Sequence, residues 1–137
     1  MTMSRSGYTD DNDGWALICW RGAVLSAIRG KRGQQFLTEL LKALDNMPNK
    51  RLIEGELEAN GEFCALGVIG AYRGLDMENI DPEDSETVSE KFNIADAMAR
   101  EIVYINDEAT YFIETPEKRW RRMREWVAGS INQRIER

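Results

Sequence analysis

The sequence predicts a mostly α-helical protein: a single compact domain of about five to six helices, with residues 51–68 open to a short β-hairpin. Three observations carry this. Apolar residues recur at three- and four-residue steps, most cleanly at Phe36, Leu37, Leu40, Leu41 and Leu44. Asp81-Pro82 and Thr115-Pro116-Glu117 place a capping side chain before a proline, as helix starts do. A chain of 137 residues, 42% apolar and 31% charged, buries one real core and leaves little for a second. The domain is read as residues 14–137, preceded by a flexible acidic arm over 1–13 that holds Asp10, Asp11 and Asp13.

In chain order, the first helix starts near Asp13 or Gly14 and turns Trp15, Ile18, Gly22, Leu25 and Ile28 inward. Gly30 and Gly33 bracket a turn. The second helix runs from about Gln34 until Pro48, which lacks the amide and the φ freedom to continue it. The pair reads as an αα-hairpin. Residues 51–74 carry two readings. Asn60-Gly61 suits the type I′ turn of a hairpin joining 52–58 to 62–68. The small residues Cys64, Ala65, Gly67, Gly70 and Ala71 suit helices in close contact, and they tip the reading towards helix. Asp81 then caps a helix that runs to about Lys91, and Phe92-Asn93-Ile94 makes a corner. The next helix, Ala95 to about Asn106, buries Ile94, Met98, Ile102 and Ile105. The last opens at Thr115, with Trp120, Met123, Val127 and Ile131 inward and Arg119, Arg121, Arg122 and Glu125 outward.

Composition excludes several kinds of chemistry. There is no histidine, so there is no Ser-His-Asp or Cys-His nucleophile pair and no HExxH zinc helix. Two cysteines, Cys19 and Cys64, are too few for a four-thiolate zinc site and suit buried thiols in a reducing cytoplasm. The run Ile28 to Gly33 holds a Gly-Lys pair but lacks the rest of a P-loop. No catalytic constellation, cofactor or metal is expected. No apolar run approaches the roughly 18 residues of a membrane span.

Four local features bear on function. Thr9 to Gly14 resembles the opening of a calcium loop, but Thr9 and Trp20 fall where anchoring carboxylates belong. Val88 to Ile102 has helix-turn-helix spacing, yet its second helix offers Asp96, Arg100 and Glu101 to a groove walled by phosphates, so an ordinary αα corner is favoured. Charge is uneven: residues 115–137 hold seven bases and three acids, against a net charge of −6 for the whole chain. Arg29, Lys31 and Arg32 with Arg119, Arg121 and Arg122 are therefore the candidate nucleic-acid contacts. Opposed to them, Asp76, Glu78, Asp81, Glu83, Asp84 and Glu86 form an acidic run without a base, a candidate surface for a basic protein partner.

With these segments placed, several motifs resemble a family of small uncharacterised proteins encoded in bacteriophages and proteobacterial prophages. They include Ser4-Arg5-Ser6-Gly7-Tyr8, Trp20-Arg21-Gly22-Ala23-Val24, Ala27 to Gln34, Cys64-Ala65-Leu66-Gly67, Asp81-Pro82-Glu83-Asp84, Ala97 to Val103, and Thr115-Pro116-Glu117 followed by Arg119-Trp120 and Arg122-Met123-Arg124. The similarity spans nearly the whole chain. It implies a cytoplasmic accessory protein made in an infected or lysogenic bacterium, and it supplies no site residues. The expected activity is binding of a host or phage protein, with a nucleic-acid-handling or defence factor as the sharpest version. Nucleic-acid binding through the basic clusters is the alternative.

Overall fold

The computed structural model describes residues 14–108 and 113–131, and these form six helices and one short antiparallel ribbon. The elements are α1 (Gly14–Arg29), α2 (Lys31–Asp45), β1 (Glu58–Ala59), β2 (Glu62–Phe63), α3 (Ala65–Arg73), α4 (Ser85–Phe92), α5 (Asp96–Asp107) and α6 (Pro116–Ser130). The chain is mostly helical, with its hairpin inside 51–68. The arm 1–13, and with it Tyr8 and the calcium-loop-like run from Thr9 to Asp13, lies outside the described residues.

α2 is the hub. Phe36, Leu37, Leu40, Ala43 and Leu44 lie on one stripe and are all buried, so the helix packs against α6, α3 and α1. The core continues through Leu52, Ile69, Phe92, Ile102, Met123 and Val127, each fully shielded from water. Burying each such side chain is worth about 2 kcal/mol. α2 and α6 run antiparallel: Gln34 Nε2 donates to the Ser130 carbonyl at 3.0 Å, and Trp120 Nε1 donates to the Leu44 carbonyl at 3.2 Å. The Gln34 amide also donates to the Ile28 carbonyl at 2.8 Å. One side chain thus satisfies carbonyls left open at the ends of two helices.

The corner after α4, the buried stripe of α5 and the cap of α6 are as expected. Thr115 caps α6 by accepting the Lys118 amide, with Pro116 in the first turn. Asn93 ends α4 in the left-handed region, φ +56°, and so makes the corner into α5. Met98, Ile102 and Val103 are buried along α5.

Four expectations are corrected. Gly33 is no turn residue: α2 begins at Lys31, and only Gly30 separates it from α1. A Cβ on Gly33 would stand 1.9 Å from the Ala27 carbonyl oxygen, so this glycine serves the close approach of two helices. α1 is rotated from the expected phase. It buries Val24 and Ile28 and half-buries Trp20 and Ala27, leaving Ile18 64% and Leu25 42% exposed. Its sequence is apolar on two faces, so spacing alone does not choose between them; Arg100, 5.1 Å from the Trp20 ring centroid, marks the face that turned inward.

Residues 51–74 divide rather than being helical throughout. The first half is the hairpin, with Asn60 at φ +54° and Gly61 at φ +79° as a type I′ turn demands, and the second half is α3. Finally, Asp81 does not cap α4. Its side chain accepts the Glu83 amide at 2.9 Å and its carbonyl the Asp84 amide at 3.1 Å, closing a turn. Asp84 is the cap, gripping both the amide and the hydroxyl of Thr87, and this register carries Val88 and Phe92 into the core. Of the two thiols expected to be buried, Cys64 is buried and Cys19 is exposed, and no disulfide joins them.

Candidate functional site

The hairpin creates the most highly charged concavity among those described. Just before β1, Leu57 turns into the core, 3% exposed, while Glu56 and Glu58 on either side of it are exposed. α3 holds this segment from behind: Gly67 lies against the Leu57 carbonyl so closely that a Cβ would be 1.8 Å from its oxygen. Past α3, Gly74 reverses the chain at φ +72°. Met77 then lies over Gly70, where a Cβ would stand 2.3 Å from its sulfur, and Ile80 enters the core. Between the hairpin and residues 75–82 lies a cavity of about 470 Å³. Glu56, Glu58, Asp76 and Glu78 line it with Leu57 and Ile80, and no basic side chain does.

The structure separates acids that hold the backbone from acids that are free to act outward. Asp76 accepts the Glu78 amide at 3.1 Å, and Asp81 and Asp84 hold the turn and cap just described. The Thr87 hydroxyl, donating to Asp84, keeps that carboxyl below its ordinary value. No ion pair joins any of the six predicted acids, or Glu56 and Glu58, to a described base. Of the predicted six, Asp76 and Glu78 line the cavity, while Asp81, Glu83, Asp84 and Glu86 continue the acidic surface along the turn and the start of α4. Glu56 and Glu58 were missed. Their signal was present in the hairpin reading, which puts residues 56 and 58 on one side of a strand.

The candidate nucleic-acid contacts fare differently. Arg119, expected outside, is 6% exposed: its guanidinium donates to the Leu52 carbonyl at 3.1 Å and sits 3.5 Å from Glu114 and 3.6 Å from Glu54. Arg122 grips Glu114 with two bonds of 2.8 and 2.9 Å and donates to the Ile105 and Asn106 carbonyls. The Arg122 hydrogen bonds hold the Glu114 carboxyl below its ordinary range. Both arginines are thus occupied in tying α6 to α5 and to the segment before the hairpin. Arg29, Lys31, Arg32 and Arg121 remain exposed. The first three surround the α1–α2 elbow beside a cavity of about 220 Å³ that Lys31 and Arg32 line. Because α2 and α6 are antiparallel, that elbow lies at the Ser130 end of α6 and Arg121 near its opposite end. The expected basic cluster is therefore split along helices roughly 20 Å long.

A third cavity, about 290 Å³, lies between the end of α2, the hairpin turn and α3, where Met47, Phe63, Val68 and Tyr72 meet an Arg51–Glu62 ion pair of 3.0 Å. Among the described residues, no group of three or more side chains is placed to hold a metal ion, and no helix is long and apolar enough to cross a membrane. No protein-family model matches the chain, and comparison with curated proteins and with solved structures finds no match.

Proposed function

We propose that this chain is an accessory protein of the phage and prophage kind its motifs resemble, working in the bacterial cytoplasm by binding another protein through its acidic groove. The partner is a host or phage protein with a basic surface, such as a nucleic-acid-handling or defence factor whose groove normally receives phosphate. One observation carries this reading: Glu56, Glu58, Asp76 and Glu78 converge on one cavity with no base among them. An uncompensated negative concavity attracts a cationic surface, speeds encounter and repels nucleic acid from the same place.

The test is capture from nuclease-treated bacterial lysate, comparing the wild type with an E56K/E58K/E78K variant. These three glutamates make no side-chain bond within the described fold, so reversing them leaves the turn bonds of Asp76 and Asp81 and the cap at Asp84 in place. A stoichiometric protein held by the wild type and lost by the variant supports the reading. Equal capture by both, with the variant folded, overturns it.

A further inference from the structure

We infer, building on that reading, that the groove receives an extended, Lys/Arg-rich peptide segment that adds to the sheet as a third strand along the outer edge of β1.

The backbone supplies the first argument. β1 and β2 are antiparallel, with Glu58 opposite Phe63 and Ala59 opposite Glu62. The Cys64 amide donates to the Leu57 carbonyl at 3.2 Å, which makes Glu58–Phe63 a pair that exchanges no hydrogen bonds. The N–H and C=O of Glu58 therefore point away from β2. The outer side of β2 is already taken, because the Ile53 amide donates to the Phe63 carbonyl at 2.9 Å. Among the described residues no backbone bond covers the outer side of β1, and residues 56–60 and 75–78 line the cavity beside it. An open strand edge is the standard template for pairing with another chain.

The side chains supply the second argument. Glu56 and Glu58 are exposed on either side of the buried Leu57, and Asp76 and Glu78 line the same cavity. Cationic residues of the incoming segment meet these four carboxylates, with Leu57 and Ile80 forming the shielded floor. The volume, about 470 Å³, lies within the range of natural ligand clefts, about 300–1,000 Å³. The same carboxylates deny the edge to acidic strands and to another copy of a chain whose net charge is −6, so an open edge does not become a route to self-association.

The experiment titrates the full chain with a fluorescent octapeptide alternating arginine and valine. A matched peptide carries N-methyl groups on the amides of one edge, and both are read by anisotropy. Saturable binding of the plain peptide, weakened at least tenfold by N-methylation and at least tenfold by E56K/E58K/E78K, is the expected result. An alternating glutamate–valine peptide is then expected to bind the reversed variant, which shows that the variant's groove is intact. Equal affinity for plain and N-methylated peptides overturns strand addition and leaves the acidic-groove reading standing. No binding of either peptide to the wild type, or undiminished binding by the variant, overturns both.

Discussion

The guanidinium of Arg119 donates to the main-chain carbonyl of Leu52 at 3.1 Å inside the protein, joining α6 to the segment that leads into the hairpin. Arg51, just before Leu52, makes ion pairs to Glu62 at 3.0 Å and Glu117 at 2.6 Å. Arg119 and Glu117 of α6 thus hold the segment that leads into the hairpin whose glutamates form the groove. Fold and proposed site meet in this contact.

Replacing Arg119 by alanine leaves the Leu52 carbonyl without its donor and removes one cation from Glu114. Arg119→Ala is expected to cost about 3 kcal/mol, the order found when one member of a buried pair is removed. Arg121→Ala, on the exposed side of the same helix, is expected to change stability by less than about 0.5 kcal/mol. Urea unfolding midpoints of the two variants check this; equal midpoints would contradict the buried role.

Two glycines are expected to respond with opposite sign. A Cβ on Gly33 meets backbone at 1.9 Å, whereas Gly22, inside α1, has nothing within 4 Å of the corresponding point. Gly33→Ala is expected to destabilise by about 1–3 kcal/mol or more, as overpacking does. Gly22→Ala is expected to stabilise by about 0.5–1 kcal/mol through helix propensity. Thermal melts of both, under one condition, decide the pair.

Stability is expected to respond to acid and to show no imidazole step near neutrality, since the chain has no histidine. Hydrogen bonds from Arg122 to Glu114, from Arg73 to Glu39 and from Arg124 to Asp45 lower these three carboxyls below ordinary values of 4.5, 4.5 and 3.8. A carboxyl lowered in the folded state adds stability above its unfolded value and loses it as the pH falls through the folded one. Unfolding midpoints are therefore expected to stay level above the ordinary carboxylate values and to fall below them. Glu114→Gln is expected to be the less stable protein at neutral pH and to converge with the wild type in acid. A constant gap between them would contradict the assignment.

Thiol chemistry separates the cysteines. Cys19 is exposed, while Cys64 is 1% exposed and its sulfur accepts the Gly67 amide at 3.5 Å. One thiol per chain is expected to react quickly with a disulfide reagent in the native protein, and the second only on unfolding. Mass mapping of the first adduct to Cys64 would contradict this placement.

What was legible in the sequence depended on how local its cause was. The Thr115 cap, the Asn93 corner and the stripe from Ile94 to Ile102 each arise within a few residues, and all are present. Gly33 read as a turn because a glycine required by a neighbouring helix looks the same in sequence as one required by φ. α1 offered two apolar faces, and only α5 and α2 choose between them. Arg119 looked like a solvent residue because its partners, Leu52, Glu54 and Glu114, come from loops that meet only in the fold. The groove followed the same rule: residues 76 and 78 were visible as an acidic run, while residues 56 and 58 join them across the whole of α3.

The most direct test of the central claim, that the acidic groove and not the exposed bases is the binding surface, is a paired anisotropy titration. One protein sample is titrated against a short labelled DNA duplex and against a labelled arginine-rich peptide at low and physiological salt. The account predicts saturable binding of the peptide, lost in E56K/E58K/E78K, and no specific binding of the duplex. Duplex binding that falls steeply with salt and disappears when Arg29, Lys31 and Arg32 are replaced by alanine would contradict it.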